Sequence, residues 1–242
     1  MRLLVCDNYD EMSRRAAETL ADRVTQKPDC VLGLATGSTP LGAYERLVTM
    51  VREGRLDLSR VTTVNLDEYR GLGEESDRSY VSFMRTHLFD GAGIPKEHTH
   101  FPDGTDPDSD HACRVYEEVL ASVGRQDLQL LGLGRNGHIG FNEPGDAFIP
   151  GVHLVDLASS TIEANKRFFA SEAEVPRQAY TMGMRAILAA KEILLIASGV
   201  DKADAVKAAF RGPVTPQVPA SVLQLHPDVT VVVDQEAYSK CM

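Results

Sequence analysis

Leu128-Gln129-Leu130-Leu131-Gly132-Leu133-Gly134-Arg135-Asn136-Gly137-His138-Ile139-Gly140-Phe141-Asn142-Glu143-Pro144-Gly145 is the stretch that decides the fold. Its first six residues, Leu128–Leu133, form a nearly continuous apolar run. Strands buried on both faces read this way. The run ends in a glycine-rich polar segment. Gly132, Gly134 and Gly137 spell G-x-G-x-x-G, and Asp156 stands about 20 residues on, as a dinucleotide site would ask. That site also needs a helix opening at the third glycine. Gly140, Pro144 and Gly145 break any helix here. The stretch therefore reads as a buried strand followed by a loop that carries polar side chains into a cleft.

The same pattern recurs on both sides. Strands are expected at Leu3–Cys6, Val31–Ala35, Val61–Leu66, Val152–Leu157, Ile193–Ala197 and Val229–Val233. Amphipathic helices are expected between them: Glu11–Gln26, Leu41–Arg52, Ser76–Leu88, Ser109–Val123, Ser160–Phe169, Met184–Ala190 and Lys202–Phe210. Alternating β and α with apolar strands predicts an α/β fold. The expected form is an open doubly wound, mostly parallel sheet with helices on both faces. No repeat or linker-like tract divides the chain, so residues 1–242 are expected to form a single domain.

Length and charge set the outer bounds. A chain of 242 residues can bury roughly 70–75% of its unfolded surface and needs no disulfide or metal to hold a core. The 25 basic and 35 acidic residues give a net charge of −10. That balance opposes nucleic-acid binding and an anionic membrane surface. No apolar run reaches the ~20 residues of a membrane span, and the first residues turn polar too soon for a signal peptide. Cys6, Cys30, Cys113 and Cys241 are scattered, which predicts reduced thiols in a cytoplasmic protein.

In such sheets, ligands bind at the carboxyl ends of the strands. Thr36-Gly37-Ser38-Thr39-Pro40 follows one strand and precedes a helix. Pro40 suits a first turn, with Thr39 or Ser38 as its cap. Free N–H groups at a helix start, with hydroxyls beside them, make an anion site. Asp67-Glu68-Tyr69 follows another strand. Adjacent carboxylates in extended chain point to opposite sides, so one serves as base and the other as a structural partner. His138 can move protons near neutral pH, and Glu143 and Asn136 are close enough in sequence to orient it. Arg167 and Lys202 are candidate phosphate cations. The histidines show no metal-ligand spacing, so no metal is expected.

Three segments together resemble the glucosamine-6-phosphate deaminase (isomerase) family. They are Leu34–Pro40, Asn65–Tyr69 and Gly134–Pro144. The resemblance runs on through Leu223-Gln224-Leu225-His226 and covers nearly the whole chain. It implies conversion of glucosamine 6-phosphate and water to fructose 6-phosphate and ammonia, without a cofactor. It assigns the C2-to-C1 proton transfer to Asp67 and ring opening to His138, supported by Glu143 and Asn136. It gives the phosphate to Thr36, Gly37, Ser38, Thr39, Arg167 and Lys202. The segment from about Ala158 to Tyr180 would form a lid that brings Arg167 in on closure.

Two positions depart from the family pattern. Many members carry Asp where this chain has Asn136, so His138 should depend more on Glu143. Members activated allosterically place basic residues at positions matching His153 and Val155. Neither Lys nor Arg stands there, which implies a monomer or small homo-oligomer. The related 6-phosphogluconolactonases typically read Ser-Leu-Phe-Pro where this chain has Phe141-Asn142-Glu143-Pro144, and they lack the Asn65–Tyr69 pattern. A non-catalytic sugar-phosphate sensor would need an added DNA-binding domain, and the α/β pattern uses the whole length.

Overall fold

The computed structural model describes residues 1–166, 169, 171 and 174–241. Along the chain come β1 (Arg2–Cys6), α1 (Tyr9–Gln26), β2 (Val31–Leu34), α2 (Leu41–Arg52), β3 (Thr62–Asn65) and a short β4 (Asp67–Tyr69). There follow α3 (Tyr80–Met84), a π-helical turn at Arg85–Phe89, α4 (Asp90–Ala92), β5 (Thr99–His100), α5 (Ser109–Val123) and β6 (Leu128–Gly132). The last part holds β7 (His153–Asp156), α6 (Ser159–Asn165), β8 (Gln178–Thr181), α7 (Met184–Ala189), β9 (Ile193–Ala197), α8 (Ala203–Arg211), β10 (Val229–Asp234) and α9 (Gln235–Tyr238).

Seven strands form one parallel sheet in the order β1-β10-β9-β6-β2-β3-β5. Strands β9 and β10 are buried at every position, as their apolar runs predict. From β2 the chain steps outward to β3 and β5. It then returns to β6, beside β2, and steps the other way to β9 and β10. Right-handed crossovers in opposite directions put the helices on opposite faces. The expected doubly wound α/β sheet is therefore present. Its reversal point lies between β2 and β6, where ligand sites form in such sheets.

Three differences from the sequence reading have physical causes. Val152–Leu157 is not a strand of the parallel sheet: β7 joins β8 and β4 in a separate antiparallel sheet. Its residues are only half-covered, so its apolar look came from one packed face. Leu3–Cys6 is a strand, but an edge one paired with β10, and Leu3, Leu4 and Val5 are exposed. The helix expected at Ser76–Leu88 begins at Tyr80, because the Ser79 hydroxyl caps it by accepting from Ser82 N at 3.1 Å.

The small sheet carries its own apolar cluster: Tyr69, Phe141, Leu157, Ile162, Val175 and Ala179. Through Ile162 this cluster seats α6 beside the carboxyl end of the main sheet. The last residues of the expected lid, Gln178–Tyr180, are instead part of β8, where Ala179 and Tyr180 are buried. At the opposite end of the main sheet, Asp127 precedes β6 and is buried. It accepts from Lys27 Nζ and Lys191 Nζ, each at 2.7 Å, and from Val31 N at 2.9 Å. Burial alone would raise its pKa, but the two ammonium groups and the N–H outweigh it and hold the carboxyl at about 2. Among the described residues, no helix is long and apolar enough to cross a membrane. All four cysteines are free thiols.

Candidate active site

A cavity of about 300 Å³ opens where β2, β3, β6 and β9 end. Each strand hands over to a loop with a polar side chain, so groups far apart in sequence meet in one place.

The loop after β2 brings Thr36, Gly37, Ser38 and Thr39 to the wall. Gly37 has φ of 94°, a backbone form costly for any residue with a Cβ. The expected side-chain cap on α2 takes a different form. Pro40 occupies the cap position and has no acceptor side chain. The Tyr9 hydroxyl of α1 substitues for it, accepting from Gly42 N at 2.9 Å while donating to Ser38 O at 3.2 Å. Tyr9 thereby ties the loop to a neighbouring helix.

The adjacent carboxylates after β3 face opposite ways, as extended chain requires. Asp67 lines the cavity and is 6% exposed. Among the described residues, no hydrogen-bond donor reaches its carboxyl. Burial, and secondarily the charge of Glu68, pushes its pKa well above the ordinary carboxylate range. Glu68 turns away and accepts from Tyr69 N at 2.8 Å, Tyr80 N at 3.0 Å and Val81 N at 3.1 Å, so it caps α3. Burial lifts Glu68 to about 7 against the pull of those three donors.

The loop after β6 is irregular, as Gly140, Pro144 and Gly145 foretold. Gly137 and Gly140 hold φ of 87° and 56°. Gly137 N donates to Gly134 O at 3.0 Å and Gly134 N to His138 O at 2.9 Å, which folds the His138 ring back over Gly134. A Cβ at Gly134 would sit 2.5 Å from three carbons of that ring. His138 Nδ1 lies 3.2 Å from Glu143 Oε2. The Asn136 side chain makes its hydrogen bonds around the ring rather than to it. Its Nδ2 donates to Glu143 Oε2 at 2.7 Å, and its Oδ1 accepts from the His138 backbone N at 3.2 Å. Burial opposes the charge on Glu143. The His138 contact, with Thr161 and Asn136, outweighs it and holds the carboxyl at about 2.

The loop after β9 adds Ser198, Asp201 and Lys202. Gly199, at φ 94°, turns the chain, and Asp234 fixes the turn by accepting from Gly199 N at 3.1 Å. Arg135 Nε pairs with Asp201 Oδ2 at 2.6 Å on the same rim. Thus Thr36, Gly37, Ser38, Thr39, Asp67, Asn136, His138 and Lys202 share one cavity, with Glu143 directly behind His138. Arg167 lies outside the described residues. Sequence reasoning missed Tyr80, Ser160, Thr161 and Asn165, which also line the cavity. Thr161 and Asn165 stand one helical turn apart on α6, a spacing that puts both on one face. Among the described residues, no group of three or more His, Cys, Asp or Glu side chains is placed to hold a metal ion.

The profile of the glucosamine-6-phosphate isomerase/6-phosphogluconolactonase family matches residues 7–232. A glucosamine-6-phosphate deaminase of Clostridium perfringens (strain 13 / Type A) is 52% identical over 237 residues, 98% of each chain. A solved structure described as a monomeric glucosamine-6-phosphate deaminase superposes with a TM-score of 0.97 at 45% identity, covering 99% of this chain and 100% of that one. A 6-phosphogluconolactonase from Trypanosoma brucei superposes with a TM-score of 0.80 at 20% identity, over 100% of this chain and 98% of that one, and shares the fold. The cavity at the sheet's reversal point and a profile match over most of the chain lead to one conclusion: this chain belongs to the glucosamine-6-phosphate isomerase/6-phosphogluconolactonase family.

Proposed function

We propose that this protein is an enzyme that converts glucosamine 6-phosphate and water to fructose 6-phosphate and ammonia. The observation that carries the reading is the facing of two unlike acid–base groups onto one cavity. Asp67 is a carboxyl of raised pKa, and His138 is an imidazole backed by an ionised Glu143. Relatives at about half identity over the full chain bear the deaminase name.

The residues divide the reaction between them. The loop Thr36–Thr39 and Lys202 hold the phosphate, through backbone N–H groups, hydroxyls and an ammonium; Arg167 is assigned to the same task. Holding the distant phosphate fixes the sugar carbons against Asp67 and His138. His138 moves a proton between the anomeric hydroxyl and the ring oxygen, which opens the pyranose. Asn136 and Glu143 keep its ring oriented. Asp67, as carboxylate, takes the proton from C2 while the substrate's ammonium gives one to O1, leaving an enolamine. Return of that proton to C1 gives an imine at C2, and water replaces the nitrogen to release ammonia. Electrons stay within the substrate, so the reaction calls for no redox cofactor. Burial raises the basicity of Asp67, which suits removal of a carbon-bound proton.

A sugar-phosphate substrate fits the family. A monomer fits the description of the 45%-identical structure. Four free thiols suit a cytoplasmic setting. The test is direct: supply glucosamine 6-phosphate and measure ammonia and fructose 6-phosphate together. Equimolar release is expected. No ammonia, with acid released from 6-phosphogluconolactone, would make the protein a lactonase. Binding without turnover of either would make it a sensor.

A further inference from the structure

Glu143 serves two parts of the molecule with its two oxygens. Oε2 faces the loop after β6, where it meets His138 Nδ1 and Asn136 Nδ2. Oε1 faces the start of α6, where it accepts from Thr161 Oγ1 at 2.5 Å and from Ala158 N at 3.4 Å. We propose that Thr161 is a positioning residue: its hydroxyl fixes the Glu143 carboxylate so that Oε2 meets His138 Nδ1. The effect on turnover rests on the ring-opening role proposed for His138, whereas the effect on the imidazole does not.

The physical basis is the softness of a carboxylate torsion. The last torsion of Glu is broad and roughly two-fold, so packing alone does not choose its angle. A short hydroxyl-to-carboxylate bond on one oxygen sets the plane and thereby aims the other oxygen. With Oε2 aimed at Nδ1, the imidazole keeps its proton there and presents Nε2 as the acceptor. Thr161 is held in place without help from its own hydroxyl. The next residue, Ile162, is buried in the small apolar cluster. One turn on, Asn165 Nδ2 donates to the Tyr69 hydroxyl at 2.9 Å, which also accepts from Tyr80 at 3.1 Å. The helix is thus anchored at its middle and at its last residue. Thr161, immediately before the first of these anchors, is 4% exposed, with its hydroxyl turned to Glu143.

Two variants separate hydroxyl from shape. Thr161→Val keeps the shape and removes the donor; Thr161→Ser keeps the donor and trims the shape. The proposal expects Thr161→Val to lower kcat about tenfold with KM nearly constant, and Thr161→Ser to restore most of it. The second readout is the ring 15N spectrum of His138 in the substrate-free protein. Its tautomer pattern should shift in Thr161→Val and return in Thr161→Ser. If Thr161→Val fails to fold, Thr161→Ala against Thr161→Ser gives the same comparison. Unchanged ring signals in the variant lacking the hydroxyl would overturn the proposal, whatever happens to kcat. Equal impairment of the Val and Ser variants would overturn it too, since shape would then be the cause. Because the spectrum needs no substrate, it decides the role of Thr161 even if glucosamine 6-phosphate proves not to be turned over.

Discussion

The imidazole of His138 covers Gly134 so closely that a Cβ on Gly134 would meet three ring carbons at 2.5 Å. The glycine is therefore a seat for the ring. A methyl group there must push the imidazole off Glu143 or bend the loop. Gly134→Ala is expected to cost about 100-fold in kcat, the scale of an ångström's misplacement of a reacting group. The thermal unfolding temperature should fall modestly as well, because Leu133 and Ile139 on either side of this turn belong to the core. Wild-type kcat in Gly134→Ala would show that the ring does not need this seat.

Asp67 is the proposed base on carbon, and its removal should strike one step. In Asp67→Asn, exchange of the C2 proton with deuterated solvent should vanish, and kcat should fall about 1,000-fold or more. Substrate should still bind, since the residues proposed to hold the phosphate are elsewhere in the cavity. Exchange continuing at its normal rate in Asp67→Asn would take the role of base from this residue.

Lys202 lines the same cavity as the loop after β2. Replacing it by Met keeps the stem and removes the charge. KM for the sugar phosphate should rise about tenfold or more, with a smaller change in kcat. An unphosphorylated amino sugar offered at high concentration should show no such difference between the two proteins. An equal loss on both substrates would place Lys202 in a general structural role.

Two buried carboxyls impose opposite pH slopes on stability. Glu68 is lifted from 4.5 to about 7 by burial, so its stabilising share is whole below about pH 4.5 and is lost as pH rises through about 7. Asp127 is lowered from 3.8 to about 2, so its share is present above pH 3.8 and is lost as pH falls through about 2. Urea unfolding from acid to mildly alkaline pH should show a flatter upper limb for Glu68→Gln than for the wild type. Asp127→Ala should lose about 2 kcal/mol at neutral pH and lack the acid fall. Parallel curves for Glu68→Gln and wild type would mean that this carboxyl titrates normally.

Much of this architecture could be read from the sequence because the main sheet is buried on both faces. Ile193–Ala197 and Val229–Asp234 leave no ambiguity when every residue is apolar or packed. The small sheet could not be read so. Asp67–Tyr69 carries two charges in three residues, and its pairing with Gln178–Thr181 spans more than a hundred positions. The site divides in the same way. His138 and Glu143 lie in one loop, so their partnership is local. The bond from Thr161 to Glu143 depends on where tertiary packing, Ile162 included, seats α6, and no short-range pattern announces such a contact. The cap on α2 was misplaced for a similar reason: the acceptor, Tyr9, comes from another helix.

Strand β6 joins two functions that have no need of each other. Asp127, just before it, anchors two lysines and the start of β2; Gly134 and His138, just after it, belong to the cavity. Five strand residues hold these ends roughly 17 Å apart across a rigid sheet. The molecule thus keeps its durability and its reactivity at separate addresses. A lineage can retune one end for heat or cold while the other drifts toward a new sugar, with little conflict between the two.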